Sequence, residues 1–108
     1  MDISDWRRRI DEIDEKLAEL VNERAKAAQQ IGLLKQQARS AIHEPQREKE
    51  IYERLKRQNR GPLPDRDLLA VFERIIDVMR KLQRDQVQDR VQTAVRASGT
   101  EIEAETNE

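Results

Sequence analysis

An apolar stripe of unusual length runs through the first third of the chain: Ile3, Trp6, Ile10, Ile13, Leu17, Leu20, Arg24, Ala27, Ile31, Leu34 and Ala38. Its steps alternate between three and four residues, the spacing that keeps side chains on one face of an α-helix. A helix that long, about 50 Å at 1.5 Å per residue, cannot cover its own stripe. It commits the chain to an all-α fold in which other helices supply the cover. Two cations interrupt the pattern. Arg24 stands where Leu or Ile is expected, and Lys35 lies at the edge of the stripe, one turn past Ile31. A charge on a core-facing position costs stability unless it is partnered. No acid on the same face obviously neutralises these two, so the pair predicts a pocket built for an anion.

Three helices and a tail follow from the breakers. The first helix is expected from Ser4 or Asp5 to about Arg39, with Ser4 as N-cap. Pro45 suits the first turn of a second helix, and the residue before a proline resists helix, so the break falls near Ser40 to Glu44. The second helix covers Pro45 to Gln58, with Ile51 and Leu55 facing inward. Asn59 to Pro64 is a breaker segment, and Asp65 is the expected cap of a third helix. That helix carries Leu68, Leu69, Phe72, Ile75, Ile76, Met79 and Leu82 on one side and continues towards Val87 and Val91. From Ala97 the chain turns to Ser, Gly, Thr, Glu and Asn. The expectation is one helical domain over residues 1–96 and a disordered acidic tail over 97–108.

The second helix, about 20 Å long, and the third, about 40 Å, are too short to cover the first. With one Phe, one Trp and one Tyr, the chain is also poor in large core residues. A second copy of the chain is the natural remedy, as an antiparallel, two-fold homodimer.

Composition narrows the function classes. Lys and Arg number 21 against 22 Asp and Glu, mixed along the chain, which is not a basic nucleic-acid footprint. There is no Cys, and the single His43 has no cluster of acids around it, so no metal site and no cofactor are expected. No apolar run approaches the roughly 20 residues of a membrane span. The N-terminus lacks a signal-peptide core, so the chain reads as cytoplasmic.

Further polar residues sit in apolar phase. Glu48 shares a face with Ile51 and Leu55, with Arg47 beside it, and Gln83 shares the inner face of the third helix with Ile76 and Met79. Arg7 flanks the first stripe in the same heptad phase as Lys35. Each has a bland reading. Arg24 can set register in a helical seam, and Lys35 can snorkel to water. Glu48 can pair with Arg47 or Arg24, Gln83 can be an exposed helix former, and Arg7 can belong to a solvated charge run. Taken together, Arg24, Lys35, Glu48 and Gln83 interrupt stripes on all three helices, and a bundle brings such residues around one cavity. Arg7 is about 42 Å from Lys35 along a straight helix, so the two cannot serve one site within a chain. In an antiparallel pair of first helices centred near Leu17 to Leu20, Arg7 of one chain lies opposite the Arg24 to Lys35 stretch of the other.

The residues resemble the all-helical chorismate mutase family, over roughly Asp5 to Val87. The matching segments are Trp6 to Asp14, Leu20 to Arg24, Ile31 to Lys35, Ile42 to Glu48, and Phe72 to Ile76 followed by Leu82-Gln83. The resemblance implies an intertwined homodimer of three-helix chains, each site borrowing an arginine from the other chain. It implies that Arg24, and Arg7 from the partner, bind the two carboxylates of chorismate. Lys35 would reach a carboxylate and the ether oxygen of the breaking bond, and Gln83 would donate to that oxygen from the other side. Glu48 would accept from the ring hydroxyl with Glu44 nearby, Arg47 would support that end, and Ile31, Ile51 and Ile76 would wall the pocket. The family often has Asp where this chain has Glu44, and commonly Ser where it has Met79, which leaves the backbone as the contact there. The implied reaction, chorismate to prephenate in Phe and Tyr biosynthesis, is a unimolecular Claisen rearrangement. It requires a compact conformer to be held and negative charge on the ether oxygen to be stabilised, with no nucleophile or metal. An isochorismate pyruvate-lyase of the same architecture is the nearest alternative, which the Glu44 and Glu48 end disfavours. A non-catalytic dimeric helical module is the alternative from another class.

Overall fold

The computed structural model describes residues 1–97, which form three α-helices. Helix α1 spans Ile3–Ala38, α2 spans Pro45–Gln58 and α3 spans Asp65–Ala97. Residues 98–108, the bulk of the expected tail, lie outside the described residues; Ala97 is the last residue of α3 rather than the first of the tail. No helix among the described residues is long and apolar enough to cross a membrane.

The helix ends follow local chemistry. Helix α1 starts earlier than expected and is capped by Asp2, not Ser4: the Asp2 carboxylate accepts from Asp5 N at 2.9 Å, and the Asp5 carboxylate accepts from Asp2 N at 3.0 Å. This reciprocal box satisfies two otherwise orphan amides and places negative charge at the positive end of the helix dipole. At the other end Arg39 adopts a left-handed conformation, φ 56°, and Ser40 N donates to Lys35 O at 2.8 Å, which turns the chain out of the helix. Pro45 opens α2, as its fixed φ and missing N–H favour. Asn59 then organises the α2–α3 turn, donating to Leu63 O and to the Asp65 carboxylate and accepting from Gly61 N. Asp65 therefore does not cap α3. It is the first helical residue, and Pro64 O accepts from Asp67 N and Leu68 N.

Helix α3 packs on both other helices. Its buried side chains, Ile76, Met79 and Gln83, fall on one face and meet α1 where α1 presents Ala28 and Gly32. A methyl group at Gly32 would lie 2.9 Å from Gln86 Oε1 and 3.1 Å from Gln83 Cγ. Glycine in mid-helix costs about 1 kcal/mol relative to alanine, so its position here is explained by close approach of α3. Gly32→Ala is expected to lower the thermal midpoint, because overpacking of about 1–3 kcal/mol exceeds the propensity gain. A raised midpoint in a melting curve would show that the seam opens freely.

The face of α1 that packs within the chain is thus this small-residue seam, not the stripe of large side chains. Trp6, Ile10, Leu17, Leu20 and Leu34 are each more than half exposed, and Ile31 is 49% exposed.

Candidate active site

One cavity of about 280 Å³ lies at the three-helix junction. From α1 it takes Arg24, Ala27, Ala28, Ile31 and Lys35, residues spaced to project from one side of a rigid helix. From the α1–α2 turn it takes Ile42 and Glu44, and from α2 Arg47, Glu48 and Ile51. From α3 come Ile76, Met79, Arg80 and Gln83. Every residue singled out in the sequence therefore lines this cavity except Arg7, which sits near the far end of α1. A larger groove between α2 and α3, about 970 Å³, is walled by mixed acids and bases and shares only Glu48 and Arg80 with it.

The cavity carries more positive than negative charge. Four of its residues are cations, Arg24, Lys35, Arg47 and Arg80, against the carboxylates of Glu44 and Glu48. Lys35 is partnered: its ammonium lies 3.2 Å from Glu44 Oε1 and donates to Ile42 O at 3.1 Å, with its side chain 14% exposed. This turn-borne partner does not appear on the helical stripe itself. Glu48 pairs with neither Arg47 nor Arg24 but with Arg80, at 3.5 Å, and with His43, at 3.4 Å. Arg47 reaches Glu50 at 3.9 Å on the outer face of α2. Arg24 has no ion pair among the described residues. Burial, and secondarily the Arg47 guanidinium, holds its pKa below the usual arginine value. It remains a cation, so its desolvated charge is stabilised by any anion that enters.

Gln83 supplies the neutral donor. It is 7% exposed, and its amide nitrogen donates to Ala28 O at 2.7 Å. That bond fixes which end of the amide is nitrogen and leaves the second N–H for a ligand. Ile31, Ile51, Ile76 and Met79 provide the apolar walls. Arrangements of this kind, cations and fixed donors in a small apolar-walled cavity, suit a compact organic anion.

Sequence reasoning missed Arg80 and Ile42. Arg80 follows Ile76 by four residues, so the helical phase carried the signal, though the Arg80-Lys81 pair reads as a solvated face. Ile42 contributes through its carbonyl in the α1–α2 turn, which no periodicity reports.

Fold and cavity together define an all-α protein with a small, apolar-walled cavity of net positive lining. The chain belongs to the chorismate mutase type II family, whose sequence profile matches residues 6–84. It is 30% identical over 88 residues to the chorismate mutase of Methanocaldococcus jannaschii, covering 81% of this chain and 89% of that one. It is 38% identical over 87 residues to the bifunctional chorismate mutase/prephenate dehydratase of Aquifex aeolicus, covering 77% of this chain but only 24% of that protein. The fold is similar to the crystal structure of the Helicobacter pylori chorismate mutase in complex with prephenate, with TM-score 0.74 and 30% identity over 80% of this chain and 93% of that one.

Proposed function

We propose that this chain is a cytoplasmic chorismate mutase that rearranges chorismate to prephenate. The observation that carries the reading is the single cavity into which Arg24, Lys35, Glu48 and Gln83 converge from three helices. Its unbalanced positive charge suits a dianion, and the arginine forks suit carboxylates. Arg24, and Arg7 from the partner, hold the two carboxylates, Arg47 supports the Glu48 end of the cavity, and Lys35 bridges a carboxylate and the ether oxygen. Gln83 donates its second N–H to that same oxygen. As the C–O bond breaks, charge grows on the oxygen, and both donors bind the transition state more strongly than the substrate. The oxygen of Glu48 not engaged by Arg80 and His43 accepts the ring hydroxyl. Confinement by Ile31, Ile51, Ile76 and Met79 favours the compact conformer in which the bond-forming carbons meet.

The active unit in this reading is an intertwined antiparallel homodimer in which Arg7 enters the partner's cavity. Support comes from the uncovered stripe on α1, from Trp6 to Leu34. Pairing two such helices about Leu17 to Leu20 buries it and sets each Arg7 near the other chain's Arg24 to Lys35 stretch.

The primary test is loss of chorismate absorbance on adding purified protein, with the product identified by chromatography. Prephenate formed without added metal or cofactor is the expected outcome. Pyruvate release from isochorismate, with no turnover of chorismate, would favour the lyase instead. The shared site has its own test. Arg7→Ala and Lys35→Ala chains, each inactive alone, are expected to recover about a quarter of the unaltered activity when refolded together at equal concentration. Random pairing makes half the dimers mixed, and each mixed dimer has one complete site. Mixed dimers that remain inactive would rule out donation of Arg7 across the interface.

A further inference from the structure

Arg80 is one turn before Gln83 on α3 and lines the same cavity, yet its guanidinium is committed to carboxylates. Nη1 lies 3.5 Å from Glu48 Oε2, and Nη2 pairs with Asp77 Oδ1. The side chain is 24% exposed and that of Glu48 18%, so the pair is substantially shielded from water. His43 Nε2 approaches the same Oε2 of Glu48, at 3.4 Å. Two groups therefore engage one carboxylate oxygen, and the other is left for the cavity. Asp77, one turn before Arg80 on α3, anchors the guanidinium from behind, as an i, i+3 pair on a helix surface does.

We propose that Arg80 is a positioning residue. It locks the Glu48 carboxylate in the rotamer that accepts the ring hydroxyl of the substrate, and it thereby sets the preference for a hydroxyl-bearing ring. This rests on the mutase reading of the cavity. A planar, permanently charged guanidinium anchored at its far end restricts a carboxylate more than a lone lysine does. Without it Glu48 keeps only His43, which is 58% exposed and charged only when protonated. A freely rotating Glu48 would offer its hydrogen bond to water as often as to substrate, and the ordering cost would fall on the binding step.

A double-mutant cycle tests this, with chorismate and an analogue lacking the ring hydroxyl as the two substrates. Arg80→Met is expected to lower kcat/KM for chorismate by about tenfold, or about 1.4 kcal/mol, and to leave the analogue within about twofold of the unaltered protein. In a Glu48→Gln background the same change is expected to have less than a roughly twofold effect on chorismate. Arg80→Lys, which keeps a cation within reach, is expected to restore part of the loss, and it carries the test if the Met variant fails to fold. Equal fold-losses with and without Glu48, or equal losses on both substrates, would make Arg80 a mere link between α2 and α3 and overturn the proposal. No turnover of chorismate by the unaltered protein would remove the mutase reading and this role together. Turnover by the unaltered protein with no response to Arg80 removes this role alone.

Discussion

A Lys35→Ala chain is expected to turn over chorismate about a thousandfold less efficiently than the unaltered protein, a loss of about 4 kcal/mol in transition-state stabilisation. The size follows from what Lys35 is asked to do. It is a shielded cation, held by Ile42 O and Glu44 so that its ammonium is already in place before ligand arrives. No reorganisation is then required as charge develops on the ether oxygen. Loss of the side chain removes one of the two donors proposed for that oxygen and leaves Glu44 as an unopposed negative charge at the cavity edge. Stability should respond far less. The Glu44 side chain is 50% exposed and can be solvated, and ion pairs of this exposure contribute about 0–1 kcal/mol. Steady-state kinetics beside a thermal melt check both halves. A variant with nearly full kcat/KM would sink the assignment, and one that is inactive because it is unfolded would show in the melt.

Gln83→Glu is expected to invert the pH response of the enzyme. The amide nitrogen of Gln83 has two hydrogens, one bonded to Ala28 O and one available to substrate. A carboxylate at this buried position faces the Ala28 carbonyl oxygen on one side and, in the proposed mechanism, the developing oxyanion on the other, and it can donate to neither. Both neighbours and burial disfavour its charged form, so its pKa is raised in the fold. Activity should fall by about a thousandfold at neutral pH and rise by about tenfold per pH unit on acidification, until the group is protonated. Recovery stays partial, because the acid has one proton where the amide has two. Stability runs the same way. With the folded pKa above the unfolded one, stabilisation is complete below the unfolded value and is lost as pH rises through the folded one. A pH profile of kcat/KM parallel to that of the unaltered protein would contradict the role given to Gln83.

The elements of the fold that sequence made legible are those with local signals. Pro45 and the Asn59 to Pro64 breaker bracket α2 at the boundaries the structure has. Arg24, Lys35, Glu48 and Gln83 were visible because a polar residue in apolar phase contradicts its surroundings, and all four line one cavity. The N-cap was misplaced because Ser4 is also a competent cap; the Asp2-x-x-Asp5 spacing, which permits reciprocal capping, was the better signal. Least legible was which face of α1 meets α3. Large side chains draw the eye to the stripe, whereas the chain packs on Ala28 and Gly32, where the side chains of Gln83 and Gln86 come close to the α1 backbone. Both faces are apolar, and one sequence does not say which of them a neighbouring helix of the same chain will take. Arg80 was hidden for a related reason, since its partner Glu48 lies on another helix and only tertiary structure joins them.

The uncovered stripe has a thermodynamic corollary. Trp6, Ile10, Leu17, Leu20 and Leu34, each more than half exposed, are as large as or larger than the residues buried among the described ones, Ala28, Gly32, Ile76, Met79 and Gln83. In the homodimer proposed above, much of the transfer free energy written into this sequence is therefore released only on association. Mass action would then govern the native state of that dimer, because dilution would remove the cover from the stripe and the stabilisation with it. The denaturation midpoint is then expected to be a function of how many molecules share the solution, with the abundance of the chain as one of the variables that keep it folded.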